Sequence, residues 1–189
     1  LIKRQTVKRI ILPSESNQKG NQVWANYDVT VSRCSTTSWE SLWTKQPTSL
    51  MWRQIALADY GLVGNNASCV ILLNMFGRQV LIAGDIEAKA EGILLKKLDE
   101  LGISNLASDV LIAPHHGSKT SSTKAFLATV IPAFVLISAG KNHFYGHPHN
   151  VITTAYWKQG SQWYNTGRHG QIKVVFETNG DYQVMPYVR

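Results

Sequence analysis

Short apolar runs separated by polar segments recur along most of the chain. Four of these runs are bounded by polar residues and predict strands buried on both faces, at 68–74, 79–83, 109–113 and 134–138. An apolar stripe with helical spacing predicts a helix from Ile86 to Leu101, which Gly102 is expected to end. Two shorter helices are predicted at about 122–130 and 150–159. This alternation indicates an α/β or α+β fold with layered packing, formed by a single domain over 1–189.

The patterns are weaker towards the two ends of the chain. Strands are predicted at 6–12 and 23–31. The segment 35–50, rich in Ser, Thr and Trp, is interpreted as an irregular loop and hairpin region. The segment 162–187 is expected to form short antiparallel strands around the turn Asn179–Gly180.

Composition and charge narrow the functional classes. Apolar residues make up 44% of the 189 residues, which is enough to bury a core. The 19 Lys and Arg outnumber the 12 Asp and Glu, and the resulting net charge of +7 favours a polyanionic partner such as nucleic acid or anionic lipid. A basic domain that binds neither is equally compatible with this charge.

No apolar run approaches the ~18 residues that span a bilayer, and no secretory signal is visible. Because the chain begins at Leu1, we expect it to be a piece of a longer protein.

The cysteine pattern excludes two kinds of site. Cys34 and Cys69 are too few for a disulfide framework, and neither belongs to a C-x-x-C zinc pair. The sequence favours two small buried thiols, while a single bridge in an oxidising compartment is the alternative.

Potential metal ligands follow three of the predicted strands. Asp85 follows the second apolar run, His115 and His116 follow the third, and His147 and His149 lie beyond the fourth. Functional sites of layered α/β folds form where such strand ends meet, and imidazole with carboxylate suits zinc, manganese or iron. Each residue also has a simpler interpretation: Asp85 as a helix N-cap, and the histidines as surface, core or turn residues.

Two further patterns concern phosphate and nucleic acid. Ser118 and Lys119 are candidates to bind phosphate at a helix N-terminus, although a plain Ser/Thr cap explains Ser118 equally well. Aromatic and cationic residues interleave between Trp157 and His169, a pattern that stacks single-stranded nucleic acid, with core packing as the more common explanation. The chain has no Walker loop and no dinucleotide-binding glycine fingerprint, so no nucleotide cofactor is expected.

Three segments of the sequence, taken together, resemble a known family. The segments are NNASCV at 65–70 with LIAGDIE at 81–87, VLIAPHHGSKTSS at 110–122, and IS-x-GKN-xx-YGHPH at 137–149. They resemble, in the same order, the hydrolase domain of the ComEC family of competence proteins, which form a DNA uptake channel in the bacterial inner membrane.

The resemblance implies a fold, a metal and roles for particular residues. The fold would be the C-terminal part of a metallo-β-lactamase-type four-layer αββα sandwich that holds zinc or manganese. Asp85 would be the metal-bridging aspartate, and one histidine of the pair His115–His116 would be the last ligating histidine, with His115 slightly favoured. His147 would contact the substrate. The domain would lie on the periplasmic or extracytoplasmic side, beside the membrane channel of the same parent protein.

One departure from the family pattern sets a limit. The family's main metal motif, of the form H-x-H-x-D-H, is missing, because all six histidines lie at position 115 or later. A catalytic zinc usually needs three protein ligands plus water. We therefore expect the parent protein to hydrolyse phosphodiester bonds of DNA, with single-stranded DNA as its partner, while this chain alone is inactive. The alternatives are a non-catalytic nucleic-acid-handling module of a transporter and a hydrolase of a small ester.

Overall fold

The structure is a computed structural model that describes residues 9–12, 30–41, 50–98, 100, 102–103 and 105–187. Its strands are β1 (Arg9–Leu12), β2 (Thr30–Arg33), β3 (Glu40–Ser41), β4 (Leu50–Ala56), β5 (Cys69–Met75), β6 (Arg78–Ile82), β7 (Val110–Ile112), β8 (Phe134–Ile137), β9 (Gln162–Asn165), β10 (Gln171–Phe176) and β11 (Tyr182–Tyr187). Its α-helices are α1 (Ala88–Lys97), α2 (Lys124–Val130), α3 (Asn150–Lys158) and the single turn α4 (Thr166–His169). The fold is mixed α/β, as predicted.

The core of the fold is a mixed sheet. Within the described residues it has seven strands in the order β3-β4-β5-β6-β7-β8-β9. Neighbours from β3 to β6 are antiparallel, whereas β6, β7, β8 and β9 are parallel to one another. The four predicted buried strands are confirmed within one or two residues as β5 to β8. Because β6, β7 and β8 are parallel, their carboxyl ends reach the same edge of the sheet.

The two faces of this sheet are covered by different elements. Successive side chains of a strand point to opposite faces. Leu81 and Leu111 therefore pack into the larger apolar cluster, which they share with residues of α1, α2 and α3. Val80 and Val110 belong to a second cluster, which they share with residues of the antiparallel hairpin β10–β11. Apolar runs without alternation are what a sheet covered on both faces requires.

Several elements differ from the sequence predictions. β4 is a seven-residue strand that begins at Leu50. The sequence predicted no strand for the residues that follow Leu50. β9 joins the main sheet parallel to β8, so the prediction that 162–187 is antiparallel throughout holds only for β10 and β11. Helix α1 ends at Lys97, four residues before the predicted end. The predicted strand positions 6–8 and 23–29 lie outside the described residues.

The two cysteines form a disulfide, and the preference for free thiols was wrong. Cys34 and Cys69 are bonded across a sequence separation of 35, with their Cα atoms 5.9 Å apart. The bond links the segment after β2 to the first residue of β5. Two isolated cysteines carry no sequence signal for pairing, because the decision depends on their distance in the fold.

None of the helices in the described part of the chain is both long enough and apolar enough to cross a bilayer.

Candidate functional site

The loops that follow β6, β7 and β8 meet at one edge of the sheet and are joined through their main chains. The backbone N–H of His115 donates to the carbonyl oxygen of Gly84 at 3.0 Å. The backbone N–H of His149 donates to the carbonyl oxygen of Gly117, also at 3.0 Å. The predicted meeting of these strand ends is therefore confirmed, and backbone hydrogen bonds between the loops hold His115 and His149 in place.

The His115–His116 turn has an unusual backbone. Both residues lie in the left-handed region, with φ of 47° and 56°, and Gly117 follows with φ of 79°. This region costs a non-glycine residue about 1–2 kcal/mol, so the surrounding structure has to maintain it. Gly117 is required for a second reason, since a Cβ there would lie 2.7 Å from the Cβ of Pro148. The turn therefore holds the two imidazoles against the loop that carries His147 and His149.

Asp85 and His116 form the central pair of the site. Nδ1 of His116 lies 2.7 Å from the carbonyl oxygen of Ser138. A carbonyl oxygen can only accept a hydrogen bond, so the proton of a neutral ring lies on Nδ1 and Nε2 keeps its lone pair. Nε2 faces the Oδ1 atom of Asp85 at 3.6 Å. Two electron-pair donors that face each other in this way can be satisfied together by a hydrogen-bond donor or by a metal ion.

His115 has different neighbours. Its Nδ1 atom lies 3.3 Å from Oε1 of Glu87 and 3.4 Å from Oγ1 of Thr120. The hydroxyl of Thr120 also donates to Oε1 of Glu87, at 2.8 Å. The imidazole next to Asp85 is therefore that of His116, although the sequence slightly favoured His115 as the partner ligand. The order along the chain could not settle this, because the directions of both rings depend on the left-handed backbone of His115 and His116.

Asp85 does not cap the helix that follows it. Helix α1 begins at Ala88, and Oδ1 of Asn66 accepts hydrogen bonds from the backbone N–H groups of Glu87 and Ala90. The backbone N–H of Asp85 donates to Oγ of Ser68 at 3.1 Å. Because Asn66 already accepts the hydrogen bonds of the first N–H groups of α1, the carboxylate of Asp85 is not needed there and faces His116.

His143 and His147 extend the cluster of imidazoles. Their rings stack with centroids 4.9 Å apart, and the ring of His147 lies 5.7 Å from that of His115. The Nδ1 atoms of both rings are buried without a hydrogen-bond partner among the described residues. Burial lowers the pKa of His147, and the neighbouring imidazoles, that of His143 first, lower it further. The neutral form of His147 is therefore favoured, and it offers a lone pair rather than a charge.

A pocket of about 390 Å³ opens beside these rings. It is lined by Glu87, His115, Ser118, Lys119, Thr120, Tyr145, His147 and His149. Ser118 is only 4% exposed, and its hydroxyl is bound to Oγ1 of Thr120 and accepts from the backbone N–H of Thr120. The side chain of Ser118 therefore stabilises the loop. Lys119 is exposed at the pocket and brings a positive charge to it.

A buried carboxylate holds the far end of the same loop. Glu91 of α1 is fully buried and accepts hydrogen bonds from the backbone N–H groups of Ser122 and Thr123. Burial raises the pKa of Glu91, and these hydrogen bonds offset part of that rise. The hydroxyl of Ser122 in turn shares a 2.7 Å hydrogen bond with that of Tyr156. The loop that carries Lys119 is thus anchored to α1 and α3.

The aromatic and cationic residues predicted near the end of the chain are not one exposed surface. Trp157 is 70% exposed on α3. Trp163 packs against the larger apolar cluster, and Tyr164 stacks on Phe134. His169 accepts a hydrogen bond from the backbone N–H of Asn165 at its Nδ1 atom. Most of these rings therefore serve packing, which was the more common explanation.

Some of the described residues at this edge of the sheet have side chains of the kind that can ligate a metal ion. Asp85 and His116 have suitable chemistry, and the hydrogen bond from His116 to Ser138 is the kind that orients a ligating histidine. However, no group of three or more His, Cys, Asp or Glu side chains within the described ranges is arranged to hold a metal ion. All six histidines of the sequence lie within the described residues.

Several residues of the site were not singled out from the sequence. They are Asn66, which caps α1, Glu87, which contacts His115, and the loop residues His143 and Tyr145. Asn66, Glu87 and Tyr145 do lie inside the segments that carry the family resemblance, and this was the available signal. Thr120 was suggested by the sequence as a phosphate donor, and its hydroxyl contacts Glu87 and His115. His143 and Tyr145 precede His147 in a Gly- and Pro-containing loop whose shape the sequence does not specify.

Comparison with known proteins finds similarity to parts of much longer chains. No family profile matches this chain. It is 37% identical over 112 residues to Recombination protein 2 of Haemophilus influenzae, which covers 59% of this chain and 13% of that protein. It is 30% identical over 123 residues to ComE operon protein 3 of Bacillus subtilis, covering 65% of this chain and 15% of that protein. It is 33% identical over 109 residues to Competence protein ComA of Neisseria gonorrhoeae, covering 58% and 15%. The matched part thus spans 13–15% of the length of these relatives.

Proposed function

We propose that this chain is part of a metal-dependent hydrolase domain of a DNA-uptake protein, which cleaves phosphodiester bonds of single-stranded DNA. The observation that supports this most directly is the pair Asp85–His116, in which the carbonyl of Ser138 leaves the lone pair of Nε2 facing a carboxylate. Relatives with names such as Competence protein ComA support a role in DNA uptake. The mixed α/β fold is compatible with the metallo-β-lactamase-type αββα sandwich that we propose for the intact domain.

The metal proposed for the intact domain is zinc or manganese. Asp85 and His116 would hold it, together with ligands from a longer polypeptide. When bound, such an ion lowers the pKa of a coordinated water towards neutrality and so supplies a hydroxide nucleophile. With two of its own ligands, this chain by itself is expected to bind the metal weakly and not to hydrolyse DNA.

The other residues of the pocket have roles that follow from their contacts. Lys119 binds the phosphate through its positive charge. His147, whose pKa is lowered by burial, contacts the substrate as a neutral ring. Glu87 and Thr120 hold His115 at the pocket wall, so that its ring keeps one orientation as the substrate enters. Ser118, which the sequence suggested as a phosphate ligand, acts by fixing the loop beneath Lys119.

We place the domain on the extracytoplasmic side of a bacterial inner membrane, beside the channel portion of the same parent protein. The disulfide between Cys34 and Cys69 supports this, because such bonds persist in oxidising compartments and are rare in the cytosol. No nucleotide cofactor is part of the proposal.

A second candidate function is a nucleic-acid-handling module without catalysis. It is favoured by one observation, namely that the described residues bring together no group of three metal-ligating side chains. In that case the Asp85–His116 pair would have a structural role.

The test compares nuclease activity with zinc or manganese in this chain and in a longer polypeptide that contains the histidine-rich motif expected ahead of it. We expect metal-dependent cleavage of single-stranded DNA by the longer protein only. In the longer protein, Asp85→Asn and His116→Gln should abolish cleavage, because each removes a ligand. Asp181→Asn is the matched control, since Asp181 lies in the exposed β10–β11 turn, where its carboxylate contacts Asn179.

Two outcomes would contradict the proposal. Equal activity of Asp85→Asn and Asp181→Asn would remove Asp85 from the site. A longer protein that binds DNA but does not cleave it under any metal condition would instead support the non-catalytic module.

A further inference from the structure

Two adjacent aromatic rings lie exposed at the mouth of the pocket. Phe144 is 93% exposed and Tyr145 is 68% exposed, in the loop between β8 and α3. Their rings contact each other edge to face, with centroids 5.2 Å apart. Large apolar side chains that remain almost fully in water next to a polar pocket are typical of a binding surface.

The pair continues into the imidazole cluster. The ring of Tyr145 lies 5.7 Å from that of His143 and 6.0 Å from that of His147, and Tyr145 also lines the pocket. Phe144 is therefore the outermost member of a row of rings that begins in solvent and ends beside His115. A flat molecule stacked on Phe144 or Tyr145 would have its neighbouring groups directed towards the pocket.

Positive charge lies beside these rings. Lys119 is exposed and lines the same pocket, and Lys141 is exposed in the same loop as Phe144. The chain as a whole carries a net charge of +7. Stacking rings next to cations that neutralise phosphate are the combination by which proteins bind single-stranded nucleic acid, because every unpaired base has a flat face to stack. In a duplex those faces are already occupied by neighbouring bases.

We propose that Phe144 and Tyr145 form a stacking platform for a nucleobase of single-stranded DNA, and so direct the adjacent phosphate to the pocket at Lys119. The platform selects unpaired strands over duplexes. The inference rests on the proposed function for the identity of the polymer, but it concerns binding and needs neither metal nor cleavage.

The experiment measures the affinity of this chain for a labelled oligothymidylate by fluorescence anisotropy, with a chelator present. A second oligonucleotide has the same length and charge but abasic sites in place of the bases. We expect Phe144→Ala and Tyr145→Ala each to weaken binding of oligothymidylate about 5- to 150-fold, the ratio that corresponds to about 1–3 kcal/mol for one stacked base. Binding of the abasic strand should be unchanged, and Phe144→Trp should retain the affinity for oligothymidylate.

Trp157→Ala is the matched control, because Trp157 is also a highly exposed ring but lies on α3 rather than in the pocket loop. It should bind both oligonucleotides as the unaltered chain does. Circular dichroism of each variant verifies that the fold is retained.

Three results would overturn the proposal. The first is an equal loss for oligothymidylate and the abasic strand, which would mean that the rings act through the loop and not by stacking. The second is a loss as large in Trp157→Ala as in Phe144→Ala. The third is a Phe144→Ala variant that loses affinity for anionic lipid vesicles and keeps its affinity for DNA, which would assign the rings to a membrane surface. None of these results depends on cleavage. The stacking proposal can therefore fail while the hydrolase function stands, and the hydrolase function can fail while the stacking proposal stands.

Discussion

Replacing Glu91 by Gln tests how the loop that carries Lys119 is held. Each of the two carboxylate oxygens of Glu91 accepts one backbone N–H, from Ser122 and Thr123 respectively. Glutamine has nearly the same shape but only one accepting oxygen, and its amide nitrogen is a donor. In the variant, one of the two N–H groups therefore loses its acceptor and faces another donor inside the protein.

The size of the effect follows from this change. A buried donor left without a partner costs about 1–3 kcal/mol. Loss of the buried charge recovers part of the desolvation that raises the pKa of Glu91. We therefore expect the free energy of unfolding at neutral pH to fall by about 1–3 kcal/mol, and the melting temperature to fall by about 2–4 °C for each kcal/mol in a domain of this size.

The assay is urea unfolding followed by circular dichroism, with Glu100→Gln as the matched control. Glu100 is an exposed glutamate that pairs with Lys97 at 2.8 Å on the surface. Exposed pairs of this kind contribute about 0–1 kcal/mol, so the control should lose much less stability than Glu91→Gln.

The pH dependence gives a second, independent check. Burial raises the pKa of Glu91 in the folded state above the ordinary value that it has in the unfolded chain. Between those two values the folded state binds more protons, so the stability that Glu91 contributes is fully present below the ordinary pKa and is lost as the pH rises through the raised pKa. The gap between the unaltered chain and Glu91→Gln should therefore widen as the pH falls through this window. Other titrating groups cancel, because both proteins contain them.

Two results would refute the reasoning. If Glu91→Gln were no less stable than Glu100→Gln at neutral pH, the two backbone hydrogen bonds would not depend on the carboxylate. If the gap between Glu91→Gln and the unaltered chain stayed constant across the acidic range, the pKa of Glu91 would not be raised by folding.

Two further predictions concern stability away from this carboxylate. Gly167→Ala should lower the free energy of unfolding by about 1–3 kcal/mol, since its Cβ would lie 2.5 Å from the backbone nitrogen of Lys141. Gly92→Ala should raise the free energy of unfolding by about 0.5–1 kcal/mol, because Gly92 lies in α1 and a Cβ there would have nothing within 4 Å. Thermal melts in which both variants shifted the melting temperature in the same direction would contradict this. Reduction of the Cys34–Cys69 bond, or Cys69→Ser, should cost about 3–4 kcal/mol by the chain-entropy relation for a closed loop of 35 residues, and a urea midpoint that did not move on reduction would contradict it.

Strands β5 to β8 were predictable because they are covered on both faces and their sequences are unbroken apolar runs. β4 was missed for the opposite reason: Arg53 and Gln54 interrupt its apolar pattern, although both side chains are buried. β9 was expected to be one of the short antiparallel strands of the tail, because its residues QWYN carry no sign that they pair in parallel with β8.

The site could be located from the sequence but not resolved in detail. That Asp85 and the two adjacent histidines share one edge follows from their positions after parallel strands. Which imidazole faces Asp85 depends on the carbonyl of Ser138, far away in sequence, and on the left-handed turn at His115 and His116. Local propensity contains neither kind of information, because one is a tertiary contact and the other a strained conformation that only the folded surroundings maintain.

The division of the sheet into an antiparallel and a parallel half has a consequence for how the protein reaches its folded state. β5 and β6 are joined by a two-residue turn, Phe76–Gly77, so their pairing closes a very short loop of chain. Val80, by contrast, pairs with Val110, and Phe134 pairs with Gln162. Each of those pairings must close a long loop before any contact compensates the lost entropy, which makes it slow. Because the imidazoles lie on the loops that only these distant pairings bring together, we expect the hairpin to form early and the histidine cluster to be assembled late.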